Sequence, residues 1–393
     1  MSEWLSIVGI GEDGLAGLPK ASRNALTAAE TVFGGPRHLA MLEHADRRPW
    51  PVPFSVAPVL ALRGRRVAVL VSGDPFWHGA GGALAEALPR GEWRAYPMAS
   101  VFSLAAARLG WRLEDTPCLG LHAAPHQRLR PELAPGRRVI VTLRDGQAVR
   151  DLALWLAAEG FGDSRLHIME ALGGTNERIR EAPARGPLPE GIGALVAVAL
   201  ELAGGGRVMP RASGIADDFF AHDGQISKRP LRALALSALA PRPGELLWDI
   251  GAGSGSIGIE WLLAHPSCRC IAIERDPGRA ARAAGNARRL GADRLDIRQG
   301  AAADLLQDLP APQAVFVGGG ADAGLLAALW ARLAPGTRLV AHAVTLETEA
   351  LLVRWHGAHG GSLLRIELSE AAALGGRRGW KSAYPVTQWS VAR

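Results

Sequence analysis

One turn constrains this chain more than any other segment. At Asp249-Ile250-Gly251-Ala252-Gly253-Ser254-Gly255-Ser256, three glycines alternate with small residues. The turn directly follows an apolar run, Leu246–Ile250, and directly precedes a helical pattern, Ile257–Ala264. Glycine tolerates the left-handed backbone that a sharp strand-to-helix turn needs, and lets a ligand come close to the main chain. The next apolar run, Cys270–Glu274, ends on an acid and leads into a helical stretch, Gly278–Leu290. Further strand-length runs follow at Leu295–Arg298, Ala314–Val317 and Arg338–Val344, with a helix over Ala323–Leu333 and a terminal strand of alternating character over Tyr384–Val391. This alternation predicts a doubly wound α/β sheet of the Rossmann type with right-handed crossovers.

The spacing says what the turn is suited to hold. A dinucleotide fingerprint reads G-x-G-x-x-G and aims a helix N-terminus at pyrophosphate. Here the pattern is G-x-G-x-G, with Asp249 two residues before the first glycine. An acid at that point suits a charged amino-acid moiety. The pattern favours S-adenosylmethionine, whose sulfonium and ammonium need no anion hole. The predicted cofactor residues are Asp249, Gly251, Ala252, Gly253, Ser254 and Gly255. Glu274 is placed to accept hydrogen bonds from ribose hydroxyls. The loop Gly300-Ala301-Ala302-Ala303-Asp304 has small residues against which an adenine can lie, with Ala302 at its centre. A lone glycine turn is often only a tight connection, but here strand, turn, helix, next strand and acid all stand in order. The fourth strand runs into Val317-Gly318-Gly319-Gly320. The Asn/Asp-Pro-Pro-aromatic motif of many amino-group methyltransferases is missing there, as is a cysteine nucleophile, which argues against base methylation.

At 393 residues the chain is too long for one typical domain. The N-terminal half shows strand-length runs at Leu5–Ile10, Val67–Val71, Val139–Leu143, Leu166–Glu170 and Leu195–Leu202, and helical patterns over Pro19–Ala29, Ser100–Leu109 and Ala148–Ala158. Pro183–Gly191 reads as an exposed loop. Gly204-Gly205-Gly206 reads as a linker. The expected organisation is a domain over 1–205, a linker over 206–213 and a domain over 214–393. No run of 18 apolar residues suggests a membrane span, and the start, Met1–Gly11, lacks the features of a signal peptide. Cys118, Cys268 and Cys270 form neither a disulfide framework nor a zinc site. A cytoplasmic protein without a metal is the expectation. The net charge is +6, and of 44 lysines and arginines only Lys20, Lys228 and Lys381 are lysine. Arginine forks match carboxylates and phosphates, so an anionic partner fits; codon bias explains the arginine preference equally well.

Further motifs carry a resemblance. Gly214-Ile215-Ala216-Asp217-Asp218-Phe219-Phe220 and Gln225-Ile226-Ser227-Lys228-Arg229-Pro230-Leu231-Arg232-Ala233 precede the glycine turn, and Val344-Thr345-Leu346-Glu347-Thr348 follows the fifth strand. Together with Asp249–Gly255 and Ala272–Asp276 they resemble the decarboxylating precorrin methyltransferase domain of cobalamin biosynthesis, over nearly all of 214–391. In the other half, Val8-Gly9-Ile10-Gly11-Glu12-Asp13-Gly14 and Ser72-Gly73-Asp74-Pro75 resemble the tetrapyrrole methylase family. Ala216, Pro230, Ala301 and Ala303 depart from the first family's pattern, and Ser227 replaces its usual threonine. Ala124–Arg128 departs from the second family's loop, so no catalytic role is carried there.

The resemblance implies a tetrapyrrole methylase fold of two α/β subdomains, followed by a Rossmann-like class I methyltransferase. It implies two S-adenosylmethionine sites, the first using Gly9, Gly11, Ser72, Gly73 and Asp74, the second adding Ser227 to the turn residues. It also implies a polycarboxylate precorrin substrate, methylated at two carbons and decarboxylated, with no nucleic acid or membrane partner. Self-association through the C-terminal domain is a further implication. Lys228, Arg229 and Arg232 are candidates to meet substrate carboxylates, with a solvated helix face as the competing reading. His222 and His342 are candidates for proton transfer, although a lone histidine is more often structural. Glu347 either holds substrate or belongs to the first turn of a helix capped by Thr345 or Thr348. A methyltransferase acting on RNA or another small molecule, and a non-catalytic adenosyl sensor, are the rival readings. An RNA binder would show steep salt dependence.

Overall fold

A computed structural model describes residues 3–393. The chain divides into two compact units. One comprises residues 1–124 and 132–207, the other 125–131 and 208–393.

The first unit holds two sheets. Strands β1 (Leu5–Ile10), β2 (Thr31–Gly34), β3 (Arg47–Pro49), β4 (Val67–Ser72) and β5 (Trp93–Tyr96) form a parallel sheet in the order β3-β2-β4-β1-β5. β1 and β4 are the near-continuous apolar runs of a sheet covered on both faces, and their residues feed two separate cores. Strands β6 (Cys118–Gly120), β7 (Arg138–Leu143), β8 (Arg165–Glu170), β9 (Arg178–Pro183) and β10 (Val196–Glu201) form a mixed sheet in the order β6-β7-β10-β8-β9. Helices begin where the sequence supplies caps. Ser100 Oγ accepts from Ser103 N–H ahead of Val101–Leu109, and Asp145 accepts from Ala148 N–H ahead of Gly146–Ala158.

The second unit is built on one seven-stranded sheet. Its strands are β11 (Leu246–Ile250), β12 (Arg269–Glu274), β13 (Asp296–Gln299), β14 (Ala314–Val317), β15 (Arg338–Ala343), β16 (Ser362–Ile366) and, beyond a hairpin of β17 (Ser369–Leu374) and β18 (Arg377–Ser382), β19 (Val386–Ala392). The order is β13-β12-β11-β14-β15-β19-β16. The first five are parallel, and β19 runs antiparallel to both β15 and β16. The sheet is thus doubly wound only over its parallel part. Separate cores cover its two faces.

Three expectations need correction. Pro183 closes a strand, β9, and does not open a loop. Strand β16, the hairpin β17–β18 and, in the first unit, β2, β3, β5, β6 and β9 are not among the strands expected from the sequence. The glycine run 204–206 is no loose tether: a Cβ at Gly204 would stand 2.3 Å from the Gly160 carbonyl oxygen, and one at Gly206 2.4 Å from the Phe161 ring. Gly204 and Gly206 thus pack onto the turn at 159–161, while Gly205 faces open space and the run stands just before the division between the units at 207/208. Among the described residues no helix is long and apolar enough to cross a membrane.

Candidate active sites

In the second unit the turn after β11 has the conformation its glycines predict. Gly251, Gly253 and Gly255 have φ of +71°, +57° and +75°. Their amides, however, are engaged inside the protein. Gly251 and Ala252 N–H both donate to the Ile273 carbonyl, Gly255 N–H donates to the Ala252 carbonyl, and Gly253 N–H donates to Glu274 Oε2 at 2.8 Å. The turn is therefore not a cradle of free N–H groups for phosphate. What it presents is glycine backbone beside the Glu274 carboxylate, which suits a cationic ligand better than an anionic one. Ser254 is buried, and its carbonyl accepts from Asn286 Nδ2 at 2.9 Å.

The Asp249 carboxyl is turned inward to the helix that follows. It is 1% exposed, and its Oδ2 accepts from Gly258 N–H in the first turn of the helix Ser256–Ala264 at 2.9 Å. Burial, reinforced by the neighbouring Glu274 charge, pushes its carboxyl up to about 7 against the opposing Gly258 bond. Oδ1 has no protein partner. Asp249 thus fixes the junction of turn and helix. A folded-state pKa above the unfolded value means the native state binds the proton more tightly between about 4 and about 7, so this group's contribution to stability is lost as pH rises through that window. The wild-type denaturation midpoint is expected to fall between about pH 5 and about pH 8 by more than that of Asp249→Asn, whose amide retains an acceptor for Gly258. Parallel pH curves for the two proteins would show that Asp249 stays ionised.

Glu274 is buried at the end of β12; besides Gly253 it accepts from Asp276 N–H through Oε1 at 2.9 Å. Each oxygen keeps a lone pair for a hydroxyl donor. Over the turn lies the segment 221–228. Asn286 ties it down through both the N–H and the carbonyl of Ala221. Arg279 and Arg282 hold Asp223, keeping its carboxyl well below the ordinary range. The segment reaches the turn at Gln225, whose carbonyl oxygen would stand 3.8 Å from a Cβ at Gly253; Ser227 and Lys228 follow it. Lys228 is exposed and directly precedes the helix Arg229–Leu239, and Arg229 is exposed with it. Ala302, half-buried, opens the short helix Ala302–Leu305 after β13.

Four other candidates are placed differently. Arg232 is fully buried, bonded to Glu260, Asp217 and the carbonyls of Ser227 and Ile215; it is structural, not a surface for substrate. His342 is buried on β15, with Nε2 held 2.9 Å from Gln388 Oε1 and its pKa lowered by burial. His222 is exposed and accepts from Gly224 N–H. Glu347 is exposed in the first turn of the helix Leu346–His359, which Thr345 caps through Thr348 N–H. No contact joins Glu347 to the turn.

The first unit encloses a cavity of about 430 Å³. Gly11, Ser72 and Gly73 line it; Gly9 and Asp74 do not. A Cβ at Gly9, within β1, would stand 2.0 Å from the Gly73 carbonyl oxygen, so Gly9 lets the loop after β4 close onto β1. Asp74 Oδ1 accepts from Phe76 N–H and shapes the second loop. The cavity also takes in Glu12, which belongs to the Val8–Gly14 motif, and Arg37, His38, His78 and His122.

Residues 5–186 match the family described as Tetrapyrrole (Corrin/Porphyrin) Methylases, and residues 218–393 match the Precorrin methyltransferase domain. The chain is 48% identical to a precorrin-6Y C(5,15)-methyltransferase [decarboxylating] of Sinorhizobium sp, over 99% of this chain and 96% of that relative. The chain belongs to the precorrin-6Y C(5,15)-methyltransferase (decarboxylating) family. A Mycobacterium tuberculosis protein of the same name is 40% identical over 98% of this chain and 99% of its own length. A solved structure, the C-terminal domain of a precorrin-6Y C5,15-methyltransferase from Rhodobacter capsulatus, shares 52% identity and covers 47% of this chain and all of that one, with a TM-score of 0.46. Methyltransferases of this family use S-adenosylmethionine. Both halves of the family's two-domain pattern are thus present in this precorrin-6Y methyltransferase chain. Asn286 and the Arg232–Glu260 pair are the residues that sequence reading missed or misassigned; their partners lie far away in sequence.

Proposed function

We propose that this chain methylates precorrin-6Y at carbons 5 and 15 and removes carbon dioxide from the ring C acetate chain, giving precorrin-8. The N-terminal unit is assigned the carbon-5 methylation. The C-terminal unit is assigned the carbon-15 methylation and the decarboxylation. Each unit is inferred to hold its own S-adenosylmethionine, the first in the cavity lined by Gly11, Ser72 and Gly73, the second on the Gly251–Gly255 turn. The observation that carries this reading is the state of that turn. Its amides are turned inward and the Glu274 carboxylate stands beside it, an arrangement fitted to a cationic, hydroxyl-bearing ligand and not to a phosphate.

When bound, the cofactor supplies an electrophilic methyl group. The protein's task is to hold a ring carbon in line with it and to keep water away. Glu274 has acceptor capacity for ribose hydroxyls, and Ala302 offers a flat, small surface. Lys228 and Arg229 are free to meet substrate carboxylates. His222 and Glu347 are open to solvent and remain candidates for proton movement, whereas the burial of His342 on Gln388 fits a structural part. The exposed hairpin β17–β18, with Leu374 and Trp380 70% and 79% exposed and Tyr384 just beyond it at 84%, is the surface through which we infer self-association; a monomer mass by light scattering would rule that out. A cytoplasmic location is part of the same proposal.

The test is incubation of the purified chain with precorrin-6Y and S-adenosylmethionine, followed by mass spectrometry. A gain of two methyls with loss of carbon dioxide is expected. An unchanged mass with the cofactor bound would reject the tetrapyrrole assignment.

A further inference from the structure

Among the residues lining the N-terminal cavity, only Glu12 and Arg37 carry a permanent charge, and they are paired with each other. Arg37 sits on the short helix Pro36–Ala40, whose start is fixed by Pro36 directly after β2 and Gly35. Its Nη2 donates to Ser72 Oγ at 3.2 Å and to His38 Nε2 at 2.9 Å. His38 is buried, and that burial together with the adjacent guanidinium lowers its pKa to about 4. The imidazole is therefore neutral. Because arginine can only donate, Nε2 is the acceptor and the ring proton is on Nδ1. Two neutral groups thus orient the guanidinium and leave its charge uncompensated. The only anion it meets is Glu12, on the loop after β1.

The pair is not sealed. The side chains of Arg37 and Glu12 are 38% and 18% exposed, so another carboxylate can reach the guanidinium from the cavity. An oriented arginine fork binds a carboxylate through two parallel N–H···O bonds. The substrate class assigned above carries many acetate and propionate chains. We propose that Arg37 is the carboxylate receptor of this cavity, binding one acid side chain of the tetrapyrrole, and that Glu12 occupies the same guanidinium edge until substrate displaces it. The proposal rests on the assignment of tetrapyrrole methylation to this unit. Arg37 is a specificity-determining residue in it, and Ser72 and His38 position it.

A purely structural ion pair and a displaceable one respond differently when each partner is changed in turn. If the pair only braces the loop, Arg37→Gln and Glu12→Gln weaken the unit in the same direction. If Glu12 competes with substrate, the two variants move KM in opposite directions. In the full chain with precorrin-6Y and S-adenosylmethionine, Arg37→Gln is expected to raise the tetrapyrrole KM for carbon-5 methylation about tenfold or more, with kcat nearly constant. Glu12→Gln is expected to lower that KM several-fold. Arg37→Lys, which keeps the charge and loses the fork, should fall between Arg37→Gln and wild type. Carbon-15 methylation and decarboxylation should be unchanged throughout, and an unchanged melting transition of the N-terminal unit checks that each variant is folded. A KM that rises in both Gln variants, or a cofactor affinity that falls while the tetrapyrrole KM stays fixed, overturns the proposal. Absence of carbon-5 methylation in the unsubstituted chain, with the carbon-15 reaction intact, overturns the underlying assignment and this inference with it.

Discussion

Replacing Gly251 with alanine is expected to weaken S-adenosylmethionine binding by the C-terminal unit and to slow carbon dioxide release about 100-fold. Gly251 has φ of +71°, where an L residue costs about 1–2 kcal/mol. A Cβ there would also lie 2.8 Å from the Gly319 carbonyl oxygen and 3.1 Å from Gly319 N. Neither neighbour is a flexible side chain, so backbone must move. The move shifts the turn against the Ile273 carbonyl that two of its amides share. Displacement of reacting groups by roughly 1 Å costs on the order of 100-fold in rate, and that is the expected loss at the C-terminal site. Calorimetric titration with S-adenosylmethionine reads the affinity, and trapped carbon dioxide reads the chemistry. Two full-affinity sites in Gly251→Ala would place the cofactor elsewhere.

The second large effect concerns Arg232. Its guanidinium is completely buried and bonds Glu260, which in turn accepts from the N–H groups of Gly214 at 2.7 Å and Ile215 at 3.0 Å. Arg232 also reaches the carbonyls of Ile215 and Ser227. One ion pair thus anchors both ends of the segment that passes over the cofactor turn. Arg232→Met leaves the Glu260 carboxylate buried and unpaired, a change that costs about 3–5 kcal/mol. Calorimetry should show the C-terminal unit melting at a lower temperature, with the N-terminal transition in place. The double variant Arg232→Met/Glu260→Leu should not regain the loss: it removes the buried charge, but leaves the Gly214 and Ile215 N–H groups without an acceptor. A single variant as stable as wild type would mean that Glu260 finds another partner or is protonated.

The contrast between Asp249 and Arg232 shows what a sequence can disclose. Strands such as β11, β12 and β14 announce themselves because both of their faces are covered and they read as unbroken apolar runs. The conformation of the glycine turn is equally legible, since glycine at alternate positions answers a local backbone demand. The role of Asp249 is not, because a carboxylate at a strand end can face a ligand or turn inward to a helix amide, and only packing decides. Arg232 looked like a surface residue before the cofactor loop, while its partner Glu260 stands a whole strand–turn unit away. Asn286 is similar: its partners Ala221 and Ser254 leave no trace in its own neighbourhood. The hairpin β17–β18 was missed for the opposite reason. Both of its faces are largely exposed, so neither alternation nor an apolar run marks it. At Gly204 and Gly206, composition suggested freedom where tight packing was the cause.

The position of β19 has a consequence for the order of assembly. β16 touches the sheet only through β19, so the sequence-earlier strand has no place to dock until the later one has paired with β15. The parallel strands that carry the cofactor turn follow one another along the chain and can come together before either of these. The far edge then closes as a single step, and deleting residues 386–392 would remove two strands from the sheet, leaving the flank of β15 and the buried ring of His342 open to water.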